Sequence, residues 1–117
     1  MRLLLIDHDP RYRALIRHHV TCRWPEAEVV TYNPVRRGRL APEFLAQGFD
    51  VVLLDHASPK DAGFSWLEDL GARPGFAPLV FFAPDDEIRT RERAIEAGAF
   101  DTFSRDAIDN ALLGDAG

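Results

Sequence analysis

Two apolar segments of the chain each end in an aspartate, and this pattern constrains the fold more than any other feature. Residues 3–6 read LLLI and precede Asp7, and residues 51–54 read VVLL and precede Asp55. Uninterrupted apolar runs of this length are typical of parallel strands that are buried on both faces. Open parallel α/β sheets bind their ligands beyond the carboxyl ends of the strands. We therefore expect Asp7 and Asp55 to converge on one pocket.

The composition indicates a single domain with an ordinary core. A chain of 117 residues is long enough to bury a core without disulfides or a metal. The net charge of -5 argues against nucleic-acid binding, which normally requires a basic face. Cys22 is the only cysteine, which excludes an internal disulfide and fits a reducing compartment. No apolar stretch could cross a bilayer and the N-terminus lacks a signal-peptide pattern, so we expect a cytoplasmic protein without a membrane partner.

Strand and helix patterns alternate along the sequence. The predicted strands are residues 2–6, 27–32, 50–55, 79–83 and 100–104. The predicted helices run from Pro10 to the break at Trp24-Pro25, over 42–47 and 64–70, from Asp85-Asp86 to Gly98, and over 106–113, with 33–39 as a loop. This alternation predicts an α/β fold, a doubly wound five-stranded parallel sheet with helices on both faces. Residues 1–113 would form this domain, and 114–117 a tail or the start of a linker to a further domain.

Two helices have a recognisable inward face. In the first helix it consists of Tyr12, Leu15, Ile16, His19 and Val20. In the helix before strand 5 it consists of Ile88, Arg91 through its aliphatic stem, Ala94 and Ile95. Asp9 is predicted to cap the first helix, which is the usual role of an aspartate between a strand and a helix.

The residues around Asp55 resemble the receiver domain of two-component response regulators. Receivers carry an acceptor aspartate at the end of strand 3, a proline four residues on and a glycine four beyond that, which here are Asp55, Pro59 and Gly63. Further matches are Asp9-Pro10-Arg11, Pro78 and Gly98-Ala99, so that the likeness spans residues 2–113. The resemblance implies a flavodoxin-like sheet with strand order 2-1-3-4-5.

The resemblance also implies a chemistry, namely phosphoryl transfer to the carboxylate of Asp55. A divalent cation is needed there, because the carboxylate and the phosphoryl group carry like charge. Receivers hold the cation with an acidic pair after strand 1, the acceptor, and the backbone carbonyl two residues beyond it. In this chain these positions are Asp7, His8, Asp55 and Ala57. His8 replaces an acidic ligand, and imidazole suits zinc, copper or nickel better than Mg²⁺, so magnesium binding is doubtful.

Other site positions depart from the family pattern as well. Ala83 stands where receivers place the Ser or Thr that bonds the phosphoryl group, and Arg105 followed by Asp106 stands where they have Lys followed by Pro. Thr102 replaces an aromatic residue that often switches rotamer on strand 5. These replacements favour an atypical receiver, a regulatory interaction module in which phosphorylation of Asp55 is impaired or absent. In such a module Asp55 would pair with Arg105 or with protonated His8.

Several interpretations remain open. A conventional Mg²⁺-dependent receiver that accepts phosphate at Asp55 is the first alternative. The second is a haloacid-dehalogenase-type phosphatase that uses Asp7 and Asp9, although the chain is short for that fold. His56 is adjacent to Asp55 and can point away from it, so a transition-metal site made of these side chains with His8 is not favoured.

The expected partners follow from the resemblance. They are a signalling protein or a fused output domain, a histidine kinase, and a second copy of the chain that would pair through the face of helix 4, strand 5 and helix 5. We expect no enzymatic activity and no nucleic-acid partner for this domain.

Overall fold

Five parallel strands form the sheet at the centre of the protein. A computed structural model describes residues 1–57 and 62–104. In these ranges the strands are β1 (Arg2–Ile6), β2 (Glu28–Tyr32), β3 (Val51–Asp55), β4 (Leu79–Ala83) and β5 (Asp101–Ser104). The helices are α1 (Pro10–Arg23), α2 (Pro34–Arg37), α3 (Gly63–Gly71) and α4 (Ile88–Glu96). The strand order is β2-β1-β3-β4-β5 with every neighbouring pair parallel, which confirms the predicted doubly wound, flavodoxin-like sheet.

The apolar runs are explained by a core on each side of the sheet. Along β1, Leu3 and Leu5 pack with the inner side chains of α1, whereas Leu4 and Ile6 pack with those of α3 on the opposite face. Both sides are covered, so successive residues must all be apolar. Each fully buried leucine or isoleucine contributes about 1.5–3 kcal/mol to folding.

Helix α1 begins as the sequence predicts. The carboxylate Oδ1 of Asp9 accepts the backbone N–H groups of Arg11 and Tyr12, at N···O distances of 2.9 and 3.4 Å. This contact satisfies donors that have no partner within the helix. The backbone N–H of Trp24 closes the last turn on the carbonyl of Val20, so the helix ends just before Pro25.

The predicted inward face of α1 is partly wrong. Tyr12, Ile16 and Val20 are buried, but Leu15 is 47% exposed and His19 is only half-buried. The buried residues follow one another at four-residue spacing. Leu15 lies about 100° around the helix from Ile16, because each residue advances by that angle. Only the narrow stripe therefore reaches the sheet.

Two predictions between β2 and β3 are also wrong. Residues 33–39 are not simply a loop, because the side chain of Asn33 caps the short helix α2. Residues 42–47 form turns instead of the predicted helix. The reason is a distant side chain, the guanidinium of Arg73, which donates to the carbonyl oxygens of Ala41 (2.6 Å) and Phe44 (2.8 Å). These contacts stabilise the turns from outside the segment.

Helix α4 begins later than the predicted Asp85-Asp86. The carboxylate of Asp85 accepts the backbone N–H of Glu87 at 3.0 Å, which forms a turn just before the first helical residue. Its predicted inward face is largely wrong, since Ala94 is buried whereas Ile88 and Ile95 are 72% and 42% exposed.

The close approach of α3 and α4 explains why a small residue is required at their contact. A Cβ on Gly71 or on Gly98 would overlap the backbone of the other helix end. Even the methyl group of alanine would clash at either position, so only glycine fits at this contact.

The other strand and helix boundaries agree closely with the sequence. Strands β1 and β4 have the predicted bounds, and β2, β3 and β5 each begin one residue later than predicted. Helix α3 contains the predicted residues 64–70 with one more residue at each end. The predicted last helix at 106–113 and the tail at 114–117 lie outside the described residues. None of the helices in the described part of the chain is long and apolar enough to cross a membrane.

Candidate functional site

Asp7 and Asp55 lie side by side at the carboxyl edge of the sheet. The register of β1 and β3 ends with Ile6 opposite Leu54, so each aspartate is the next residue on its strand. Both side chains are fully buried. The convergence expected from the apolar runs is therefore present in the structure.

Each of the two carboxylates is held by the chain that follows it. Oδ1 of Asp7 accepts the backbone N–H of Asp9 at 2.9 Å, and Oδ2 of Asp55 accepts the backbone N–H of Ala57 at 3.2 Å. Both contacts are local turns that an aspartate makes with the second following residue. Burial of two like charges on adjacent strands is costly unless positive charge or hydrogen-bond donors offset it.

His56 lies in the site, although the sequence analysis did not favour it there. Its Nδ1 lies 3.0 Å from the carbonyl oxygen of Phe82 and 3.7 Å from Oδ1 of Asp55, and its side chain is 18% exposed. A carbonyl oxygen can only accept, so Nδ1 carries the proton and donates to Phe82. The imidazole therefore faces Asp55 and does not point away from it.

A signal for this contact was present in the predicted topology. Strands 3 and 4 are neighbours in the predicted order, and the register places Phe82 directly opposite Asp55. A donor side chain just after strand 3 is therefore within reach of a carbonyl at the end of strand 4. The rotamer of His56 decides between that carbonyl and the solvent, and the sequence pattern contains no information on it.

Gly63 has a steric role beside the site. Its backbone N–H donates to the carbonyl of His56 at 2.9 Å, and a Cβ on Gly63 would overlap the backbone of His56. The first turn of α3 therefore packs directly on the turn after β3. This contact explains the glycine eight residues beyond Asp55, which the sequence marked only by resemblance.

The ends of β4 and β5 present few side-chain polar groups to this edge. Ala83 is buried and has no hydroxyl, and it lies opposite Ser104, the last residue of β5. Opposite Asp55, β4 presents the backbone carbonyl of Phe82, and this carbonyl accepts a hydrogen bond from His56.

Thr102 on β5 is bonded to α4. Nη1 of Arg91 lies 3.3 Å from the hydroxyl oxygen of Thr102, and Nη2 of Arg91 lies 3.2 Å from Oδ1 of Asp101. The position where the resemblance implies an aromatic switch is therefore occupied by a threonine that is tied to a neighbouring helix. Instead of packing inward through its aliphatic stem, as predicted, Arg91 is more than half exposed and contacts β5 through its guanidinium.

The other predicted site residues lie in the turns after β1 and β3 or outside the described part of the chain. His8 is half-buried directly after Asp7, and the backbone of Ala57 lies in the turn after β3. Asp9 caps α1, as predicted. Arg105 and Pro59 lie outside the described residues.

These residues do not make a good Mg²⁺ site. The donor set that the resemblance implies consists of two carboxylates, the imidazole of His8 and the backbone carbonyl of Ala57, whereas Mg²⁺ prefers an octahedron of oxygens. In the described ranges, no group of three or more His, Cys, Asp or Glu side chains is arranged to hold a metal ion. The chemistry of the donors therefore fits Mg²⁺ poorly.

Comparison with known structures identifies the fold. The sequence matches no protein-family model and no curated protein. The signal receiver domain of a DNA-binding response regulator (merR) from Colwellia psychrerythraea 34H is similar, with a TM-score of 0.72 and 18% identity, over 100% of this chain and 99% of that one. The BeF3-activated N-terminal receiver domain of RstA from Klebsiella pneumoniae has a TM-score of 0.70 and 25% identity, over 99% and 95%.

A third structure was determined with a metal. The Mn(2+)-bound form of response regulator Rcp1 has a TM-score of 0.69 and 14% identity, over 97% of this chain and 89% of that one. All three likenesses span nearly the whole chain. This protein therefore has the fold of response regulator receiver domains, which confirms the resemblance found in the sequence.

Proposed function

We propose that this protein is an atypical receiver domain that regulates a signalling protein by contact, with phosphorylation of Asp55 impaired or absent. The observation that carries the proposal is the surroundings of the buried carboxylate. The imidazole of His56 lies 3.7 Å from Asp55, and the adjacent strand ends in Ala83 without a hydroxyl. At the end of β4, where receiver chemistry uses a hydroxyl, a phosphoryl group at Asp55 would find the methyl group of Ala83, and the imidazole beside it donates to a backbone carbonyl.

The charges at the site support this proposal. A phosphoryl donor that approaches Asp55 also meets the buried carboxylate of Asp7 on the neighbouring strand, and like charges repel more strongly in a poorly solvated site than in water. Phosphoryl transfer depends on a cation that neutralises this charge and positions the oxygens. With His8 in the place of an acidic ligand, that cation has one hard donor fewer.

The contacts of β5 support it independently. In receivers, the hydroxyl at the end of strand 4 and the aromatic on strand 5 couple the acceptor to a partner surface. Here Ala83 supplies no donor, and Thr102 is bonded to Arg91 of α4. A phosphorylated Asp55 would lack the usual route to that surface.

The partner in this proposal is a signalling protein or an output domain fused to this one. A histidine kinase or a second copy of the chain are the other candidates. We further propose that a protein cation, Arg105 or protonated His8, pairs with Asp55 where a receiver would hold its metal.

A second candidate function is a conventional phospho-accepting receiver. It is favoured by the two carboxylates, because Asp7 and Asp55 lie together and buried at the edge where the acceptor and its metal would meet. The phosphatase alternative is weaker, because the carboxylate of Asp9 accepts two backbone N–H groups at the start of α1.

One labelling experiment separates the first two candidates. The protein is incubated with acetyl phosphate and Mg²⁺, and phosphate incorporation is followed by intact mass spectrometry, with Asp55→Asn as the control. We expect little incorporation and no difference between the two proteins. Rapid incorporation that requires Mg²⁺ and is absent in Asp55→Asn would establish the conventional receiver instead.

A further inference from the structure

The imidazole of His56 connects the ends of two strands. The backbone N–H of His56 and its Nδ1–H both donate to the carbonyl oxygen of Phe82, each at 3.0 Å. The same Nδ1 lies 3.7 Å from Oδ1 of Asp55. One N–H group of a half-buried ring therefore faces the acidic residue of β3 and a backbone carbonyl of β4.

The two acceptors differ in kind. The carbonyl of Phe82 is neutral, whereas the carboxylate of Asp55 is charged when ionised, and hydrogen bonds to charged acceptors are roughly twice as strong as those between neutral groups. A small rotation of the ring would move Nδ1–H from the nearer neutral acceptor to the charged one. Which acceptor it bonds depends on how far the charge of Asp55 is offset by other groups.

We propose that His56 is a positioning residue that transmits the charge state of Asp55 to β4, in the place of the hydroxyl that Ala83 lacks. This inference rests on the proposed function, since it describes how an atypical receiver would still couple its acidic pocket to the neighbouring strand. When the charge of Asp55 is offset, Nδ1–H stays on Phe82. When it is not, Nδ1–H turns towards the carboxylate and the bond to the strand weakens.

A change in the hydrogen bonds of the Phe82 carbonyl also affects Ala83, because this carbonyl and the N–H of Ala83 belong to one peptide group. Loss of a hydrogen bond at the oxygen changes the polarisation of that group. The turn that carries His56 cannot simply move away, since Gly63 packs on its backbone without room for a Cβ. The ring is therefore the part of this contact that is able to respond.

The test is an NMR double-mutant cycle on the full chain. The substitution Asp55→Asn removes the charge. The amide resonance of Ala83 and the Nδ1 resonance of His56 are recorded in the protein with this substitution and in the protein without it. We expect both resonances to shift in the otherwise unchanged protein. The change at Ala83 is expected to be largely lost when His56→Leu is also present.

A matched variant separates coupling from mere support. Asparagine places an N–H donor close to the position of Nδ1, and leucine has nearly the same shape without a donor. In the His56→Asn background Asp55→Asn should again shift Ala83, and in the His56→Leu background it should not. An equal response of Ala83 in both backgrounds would show that His56 does not transmit the charge of Asp55. The same conclusion follows if Ala83 responds neither in these two backgrounds nor in the protein that keeps His56.

This outcome is independent of the phosphorylation assay. The cycle contains no phosphodonor and no metal, so a failure of the coupling leaves the labelling result unaffected. Conversely, Mg²⁺-dependent labelling of Asp55 would overturn the proposed function without removing a measured coupling between Asp55 and Ala83.

Discussion

The two halves of the carboxyl edge differ in what holds their polar groups. On the β1 and β3 half, Asp7 and Asp55 are each bonded to a backbone N–H in the turn that follows. On the β4 and β5 half, Ala83 offers no donor and Thr102 is bonded sideways to α4. The position of the two carboxylates and the contacts of the opposite half are therefore set independently. Local turns hold the carboxylates, and single side chains determine the contacts of β4 and β5.

The largest effect is expected for Gly63, and its substitution tests whether backbone packing holds the turn after β3 in place. Gly63→Ala places a methyl group against the backbone of His56, and we expect it to lower the free energy of unfolding by about 3 kcal/mol. The measurement is urea denaturation followed by circular dichroism. Gly75→Ala is the control, because it meets open space and costs about 1 kcal/mol through its positive φ alone. Equal losses in both variants would contradict a steric role for Gly63.

The second prediction changes one residue on each half of the carboxyl edge to the type that a conventional receiver has. His8→Asp together with Ala83→Thr restores an oxygen ligand and a hydroxyl donor. We expect labelling of Asp55 by acetyl phosphate to rise by about 100-fold, the effect of one well-placed donor at a charged transition state.

The control for this double variant has a side chain of the same volume at position 83. Ala83→Val in the His8→Asp background occupies the space of threonine without the hydroxyl, and it should recover only part of the gain. If valine and threonine give the same labelling, the missing hydroxyl is not what limits the reaction.

A smaller effect separates Asp9 from its neighbour Asp7. Asp9→Ala removes the cap of α1, and we expect the free energy of unfolding to fall by about 1 kcal/mol. Asp9→Ser should recover most of this loss, because serine also caps helices. A serine variant as unstable as the alanine variant would show that the carboxylate of Asp9 has a role beyond capping.

The smallest effect concerns the contact between α4 and β5. Thr102→Val removes the hydroxyl that faces Arg91, and we expect a loss of about 0.5 kcal/mol because the guanidinium is more than half exposed. Thr102→Ser keeps a hydroxyl and is the matched control. Amide hydrogen exchange in α4 should become faster in the valine variant and not in the serine variant.

Most of the fold could be predicted because its signals are local or follow from general rules of topology. The apolar runs at residues 3–6 and 51–54 predict strands that are covered on both sides, and the alternation of strands and helices predicts a parallel sheet with helices on both faces. The strand order followed from the resemblance to receiver domains. The helix predicted at 42–47 was wrong because Arg73, some thirty residues away, donates to carbonyls of that segment. Such a contact leaves no pattern in the segment itself.

The site could be predicted in part for the same reason. Neighbouring parallel strands bring Asp7 and Asp55 together whatever the side chains around them, so their placement needed only the topology. The contact of His56 with Phe82 spans 26 residues and depends on a rotamer. No periodicity or spacing reports a rotamer, since side-chain torsions have several staggered minima that only the surroundings distinguish.

The sequence by itself determined the parallel sheet and the edge at which two aspartates meet, because burial of apolar runs and right-handed crossovers allow few alternatives. The strand order was predicted only through the resemblance to receiver domains. Only the tertiary structure decided that the imidazole of His56 faces the carboxylate and that α4 is tied to β5 through Arg91. The ring of His56 is oriented by Phe82, 26 residues away, and Arg91 bonds to a residue of another element, so the geometry of both contacts exists only after the strands have been placed side by side.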